Sequence, residues 1–171
     1  EIIQNAIAKE ITTSRVMSRT TRGGKRVEFI FHKEPKVRIK LEGREIEFET
    51  KTIGGRSVNP VKSRILGNEV IYEEIISGVD LKYTFNNDLL VEEYIVKNRE
   101  TALSLGETFE QNIKTVDVKV VSPEPSSFGF YSSDGQEIFR LSQPFAKAAN
   151  GQVSNDLKIS LEKDYVGHKL V

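Results

Sequence analysis

The sequence predicts an all-β protein, an antiparallel β-sandwich of roughly ten strands with little helix. Apolar and polar residues alternate along most of the chain, so each segment has one face to bury and one to hydrate. Turn-forming residues separate these segments at intervals of about ten residues, which is typical of sandwiches and barrels.

Six segments alternate most regularly. In the clearest one, Val79, Leu81 and Tyr83 alternate with Asp80 and Lys82. Successive side chains on a strand point to opposite faces, so the three apolar residues are expected to be buried together. The other five alternating segments begin at Val27, Val37, Ile46, Val116 and Leu157.

Short turns are predicted between these strands. Glu42-Gly43-Arg44 lies between two alternating segments and predicts a tight hairpin, and Asn86-Asn87-Asp88 predicts another. Glycine and asparagine tolerate the positive φ that such turns require. Three further turns are predicted at Gly23-Gly24, Ser133-Asp134-Gly135 and Asn150-Gly151.

The chain is interpreted as one domain over residues 1–171, with a division into two sheets or subdomains near 55–65 as the alternative. Two stretches fit the strand pattern less well. Residues 4–10 are compatible with a short helical turn, and residues 99–112 form a connection with room for one turn of helix. The first residue is Glu1, and we expect the chain to be a fragment of a larger exported protein whose targeting segment lies outside it.

Composition argues against several classes of function. Lys and Arg together number 25, equal to Asp and Glu, so no net charge attracts the protein to nucleic acid or to an anionic membrane. The chain has no cysteine, which excludes disulfides, thiolate metal sites and cysteine nucleophiles. No apolar run approaches the roughly 20 residues of a transmembrane helix. We therefore expect no nucleic-acid partner, no membrane insertion and no cofactor. No metal site is expected either, with a surface calcium site assembled from several loops as the alternative.

The residues that commonly carry catalysis lack a catalytic pattern. The two histidines, His32 and His168, have no nucleophile or metal-ligand spacing beside them. Glu45, Glu47 and Glu49 share one strand face at intervals of about 7 Å, within the range of glycosidase acid pairs. A hydrated strand face explains these acids more simply. The sequence predicts no catalytic residues and a protein that is not an enzyme, with a glycosidase-like enzyme as a remote alternative.

Three tyrosines are candidates for ligand binding. Aromatic rings stack on the apolar faces of sugars, and Tyr72, Tyr94 and Tyr131 are the rings proposed for this role. Phe128 and Phe130 lie on the strand face opposite Tyr131 and are expected in the core. Carbohydrate binding, to cell wall or polysaccharide, is therefore the alternative to a purely structural role.

The segment from Ile71 to Asn98 resembles part of the wall-associated and Rhs-type (YD-repeat) bacterial surface proteins. The matching residues are Tyr72, Gly78, Val79, Asp80, Leu81, Tyr83, Glu92 and Glu93. The resemblance implies an N-terminal β-domain of an exported stalk, secreted or attached to the cell surface. It also implies that its partners are other domains of the same protein, with cell-wall glycan as a further candidate. From the residues themselves, Glu92 or Glu93 is expected to face Lys82 across a hairpin.

Overall fold

The structure, a computed structural model, describes residues 7–11, 14–20, 24–86, 89–106, 108–124, 127–163 and 168–170. These residues form 18 strands and one short helix, and the strand pairs are antiparallel, which confirms the all-β prediction. The strands are β1 (Ile7–Ile11), β2 (Ser14–Thr20), β3 (Arg26–His32), β4 (Lys36–Leu41), β5 (Arg44–Ile53), β6 (Arg56–Ser57), β7 (Ser63–Leu66), β8 (Glu69–Ile76), β9 (Val79–Asn86), β10 (Leu89–Val96), β11 (Phe109–Val116), β12 (Lys119–Glu124), β13 (Ser127–Tyr131), β14 (Glu137–Leu141), β15 (Ala146–Lys147), β16 (Val153–Ser154), β17 (Leu161–Lys163) and β18 (His168–Leu170). Six of these strands have four residues or fewer, and the other 12 are longer, close to the roughly ten that were predicted.

The strands are arranged in four sheets. The large sheet has the order β1-β2-β3-β4-β5-β11-β18-β17, with β6 added to β5. A second sheet has the order β10-β9-β8-β7, and a third the order β12-β13-β14. The fourth is the small pair β15-β16.

The hydrophobic core lies between the large sheet and the second and third sheets. Phe31 of the large sheet contacts Tyr83 and Phe85 of the second, with ring centroids 5.4 and 5.7 Å apart. Phe48, paired in register with Val37 on the same face of the large sheet, contacts Phe130 of the third sheet at 5.6 Å. The two smaller sheets therefore cover one face of the large sheet, which gives the two layers of a sandwich.

The turns behave largely as the sequence predicts. Leu41 pairs with Arg44, so Glu42 and Gly43 form a two-residue hairpin loop with φ values of 51° and 81°. Positive φ at both central positions matches the right-handed twist of the flanking strands. Asn86 pairs with Leu89 across the second predicted hairpin, whose residues 87 and 88 lie outside the described residues, as does Gly23.

Within the described part of the chain, helix is confined to α1 (Arg99–Ser104), in the connection where one turn was predicted. Asn98 caps it, because its Oδ1 accepts a hydrogen bond from the Thr101 amide at 2.8 Å. The helical turn considered for residues 4–10 is wrong where it can be seen, since residues 7–11 form β1. These residues pair with β2, and pairing with a neighbouring strand outweighs a weak local helix preference.

Buried apolar residues from both sides of residues 55–65 belong to one cluster. Ile53 precedes this stretch, Val70 follows it, and both are fully buried in the same core. The one-domain interpretation itself remains a prediction.

Candidate functional site

The three candidate tyrosines lie in three different environments. Tyr72 is fully buried on β8, and its hydroxyl donates a hydrogen bond to the carbonyl of His32 at 2.9 Å. Its ring contacts Tyr83, with centroids 6.3 Å apart. The Tyr72 side chain thus links the second sheet to the end of β3, and its ring has no exposed face for a ligand.

Tyr94 lies in a polar cluster between the large and second sheets. Gln111 Nε2 of β11 donates hydrogen bonds to the Tyr94 hydroxyl and to Glu92 Oε1, each at 2.8 Å. The Tyr94 hydroxyl also hydrogen-bonds Thr50 Oγ1 of β5 at 2.8 Å. The inner cluster, as we name Thr50, Glu92, Tyr94 and Gln111, thereby joins β10 to β5 and β11.

Glu92 is the unexpected member of the inner cluster. It pairs in register with the buried Tyr83, on the core face of its hairpin. Burial raises the pKa of the Glu92 carboxyl, while the neighbouring side chains of Tyr83, Gln111 and Tyr94 work in the opposite direction. The Tyr83 hydroxyl approaches this carboxylate without forming a regular hydrogen bond, and burial followed by the Glu92 charge raises the tyrosine pKa. The sheets are thus joined by a carboxyl group held by neutral donors.

The sequence contains a signal for this cluster. On β10, Glu92 falls in phase with Leu90, Tyr94 and Val96, all at least partly buried against the core. A charged residue in phase with apolar ones on a strand is either buried with partners or lies at an edge. The strand pattern does not distinguish these two cases. The structure does, because Gln111 in the facing sheet donates a hydrogen bond to Glu92.

Tyr131 is the candidate ring nearest to solvent. It is partly exposed at the end of β13, on the face of the third sheet opposite Phe128 and Phe130, both of which are buried as predicted. Its hydroxyl donates to Glu137 Oε2 at 2.8 Å, and Arg140 Nε binds Glu137 Oε1 at 3.1 Å. Of the three tyrosines, this one is placed to meet a ligand.

The acids Glu45, Glu47 and Glu49 lie on one face of β5 and are paired with cations. Arg38 donates from Nε and Nη2 to Glu47 Oε2 at 3.0 and 2.8 Å. Burial opposes ionisation of Glu47, but Arg38 and Lys36 outweigh it and lower its pKa. Lys40 binds Glu45 at 2.7 Å, and Lys51 binds Glu49 at 2.7 Å. A general acid of a glycosidase needs a raised pKa, whereas the pKa of Glu47 is lowered.

Within the Gly78–Tyr83 segment, which carries the resemblance, Gly78 and Asp80 have structural roles. Gly78 has φ 80°, and a Cβ there would lie 2.3 Å from Thr101 Oγ1. Asp80 Oδ1 accepts from the Glu74 amide at 2.8 Å and from Lys97 Nζ at 2.9 Å. These contacts fix the β8–β9 hairpin against the start of α1.

Lys82 faces the second of its two predicted partners. Glu93 pairs with Lys82 in register, and Glu93 Oε2 lies 2.8 Å from Lys82 Nζ. The predicted cross-strand ion pair is confirmed, and it uses the outer face of the hairpin. Glu92 points the other way, because neighbouring residues on a strand alternate.

Residues 142–158 form an exposed arm on the third sheet's C-terminal side. All of them except Pro144 are exposed, including Phe145 at 60%, Val153 at 51% and Leu157 at 42%. The hydrogen bonds of the arm link its own residues: Gln143 to the Asn155 carbonyl at 3.0 Å, and the Ala148 amide to the Gln152 carbonyl at 2.8 Å. The arm, as we call this segment, presents large apolar side chains to solvent.

The described residues contain neither a metal-binding cluster nor a membrane-crossing helix. In the ranges listed above, no group of three or more His, Asp and Glu side chains is arranged to hold a metal ion. No helix in the same ranges has the length and apolar character needed to cross a bilayer.

Comparison with protein-family models, with curated proteins and with solved structures finds no match to this chain. The resemblance to wall-associated and Rhs-type surface proteins therefore remains a prediction.

Proposed function

We propose that this chain is a non-catalytic interaction or scaffold domain of a bacterial surface protein, displayed outside the cell. In this proposal the arm packs against other domains of the same protein. The observation that carries the proposal is the exposure of Phe145, Val153 and Leu157 on a segment bonded internally. Exposed apolar side chains grouped on one segment are typical of an interaction site.

The edges of the smaller sheets support the same role. Among the described residues, β12 and β14 each pair with β13 alone, and the arm follows directly on β14, whose outer edge is unpaired. Free edges carry unpaired backbone donors and acceptors that a neighbouring chain segment can extend. An apolar arm beside open edges suits a domain that is joined to others.

Site-specific photo-crosslinking tests the interaction. A photoreactive phenylalanine analogue is placed at Phe145 in the intact protein in its own cells, and crosslinked peptides are identified by mass spectrometry. We expect crosslinks to other domains of the same polypeptide. The control position is Leu103 of α1, which is 76% exposed and outside the arm. Equal crosslinking from both positions would contradict the proposal.

Surface location is tested separately by brief protease treatment of intact cells. The expected result is release of peptides from this chain before those of a cytoplasmic marker. Release only after lysis would overturn the extracellular assignment and leave the arm's role to the crosslinking result.

A further inference from the structure

The outer face of the third sheet carries a small ordered patch. Strand register places Lys119, Tyr131 and Glu137 side by side in one row across the three strands. A second row contains Val121, Gly129 and Arg140. Strands lie about 4.8 Å apart and alternate residues about 7 Å apart, so this outer patch covers roughly 10 by 7 Å. That area matches one sugar ring with its substituents.

The ring of Tyr131 lies across the centre of the outer patch. A Cβ on Gly129 would lie 2.4 Å from Tyr131 Cε2, so the ring rests directly on the Gly129 backbone. The hydrogen bond to Glu137 at 2.8 Å, with Arg140 bound to the same carboxylate, holds the hydroxyl end in place. The ring therefore lies against the glycine backbone on the outer side of the third sheet, and Tyr131 is partly exposed there. A ring fixed in this way loses little conformational entropy when a ligand stacks on it.

The groups around the ring suit a polyhydroxylated ligand. The aromatic face can receive the apolar C–H face of a pyranose, while Glu137 accepts and Arg140 donates hydrogen bonds to hydroxyls. Lys119 is exposed next to the ring and forms no ion pair among the residues that the structure describes. Since Glu137 is already bound by Arg140, the outer patch has one uncompensated positive charge, which favours an anionic ligand.

We propose that the outer patch binds an acidic polysaccharide, with a pyranose ring stacked on Tyr131 and a sugar carboxylate bound by Lys119. The site is separate from the arm, so this proposal and the proposed scaffold role can fail independently. It would give the domain a means of attachment to a polysaccharide in addition to contacts with its own protein.

Calorimetric titration of the full chain tests the site. The probes are a short oligomer of galacturonic acid and the same oligomer with its carboxyl groups reduced. We expect the acidic oligomer to bind more tightly. Tyr131→Ala should weaken binding of both probes by about tenfold, the value of one aromatic contact. Lys119→Met should weaken binding of the acidic probe alone.

Two further variants make the result decisive. Tyr131→Phe keeps the ring and should retain most of the binding, so a loss in Tyr131→Ala but not in Tyr131→Phe assigns the effect to stacking. Phe145→Ala removes a more exposed ring from the arm and should change nothing. Thermal unfolding of each variant shows whether the fold is intact.

Three outcomes would overturn the proposal. They are failure of the unmodified chain to bind the acidic oligomer, binding that is unchanged in Tyr131→Ala, and equal affinity for the acidic and reduced probes. The first two outcomes would remove the stacking role of Tyr131, and the third would remove the binding of a sugar carboxylate by Lys119.

Discussion

Two glutamates on neighbouring elements of the sandwich have opposite environments. Glu47 lies on the outer face of the large sheet and is held by Arg38, with a lowered pKa. Glu92 lies between the sheets, where Gln111 donates a hydrogen bond to its carboxyl group and Tyr94 and Tyr83 lie nearby. The pKa of this carboxyl group is raised. The comparison shows how burial and partner chemistry together set the direction of a carboxyl pKa shift: a guanidinium outweighs the cost of partial burial, while an amide and phenols compensate only part of the cost of deeper burial.

The largest effect is expected from Gln111→Leu, which removes the main donor to Glu92. The free energy of unfolding should fall by about 3 kcal/mol at pH 7, because a desolvated carboxylate and the Tyr94 hydroxyl lose their partner. Urea denaturation measures the change. Asn112→Leu, the next position on β11 and on the opposite face, should stay within about 0.5 kcal/mol. Equal losses in the two variants would show that the inner cluster has no special role.

Arg38→Met tests the ion pair that holds Glu47 on the outer face of the large sheet. The variant keeps the apolar stem but removes both hydrogen bonds to Glu47, and we expect a loss of about 1 kcal/mol. The control is Arg64→Met, because the Arg64–Glu73 pair is as short, at 2.5 Å, but more than half exposed on both sides. That variant should show no measurable change. A larger loss in the control would mean that burial does not determine the strength of these pairs.

The two glutamates should respond to pH with opposite signs. Since the folded-state pKa of Glu92 is raised, its contribution to stability is most favourable below its usual value of 4.5 and declines as the pH rises through the folded-state pKa. For Glu47 the contribution is present above 4.5 and is lost as the pH falls through its lowered pKa.

Urea denaturation between pH 3 and 8 checks this prediction for Glu92→Gln and Glu47→Gln, each measured against the unmodified chain. Relative to that chain, Glu92→Gln should gain stability as the pH rises and Glu47→Gln should lose it. Parallel pH profiles would refute the assignment of opposite environments.

The smallest effect is expected for the exposed pair of the same hairpin, Lys82 and Glu93. A double-mutant cycle with Lys82→Ala and Glu93→Ala should give a coupling of about 0.3 kcal/mol, reduced further by salt. A coupling above about 1 kcal/mol would place this outer pair on the same level as the inner cluster, contrary to the comparison.

Much of the fold is predictable from local patterns. The alternation in Val79, Leu81 and Tyr83 correctly predicts a buried face, because side-chain direction on a strand has a period of two. Glu42-Gly43 correctly predicts a two-residue hairpin, since positive φ is a local property. The tyrosine candidates show the limit: the sequence gives no measure of whether Tyr72, Tyr94 or Tyr131 is covered by another sheet.

The sequence by itself determined most of the strands and turns, although not β1, because alternation and turn chemistry depend on neighbouring residues and on backbone geometry. Only the tertiary structure decided which strands adjoin and which layers stack. It placed Gln111 opposite Glu92, Tyr131 on an open face and Tyr72 in the core. The physical reason is that burial and pairing between sheets depend on contacts between residues far apart in the chain, which alternation alone does not specify.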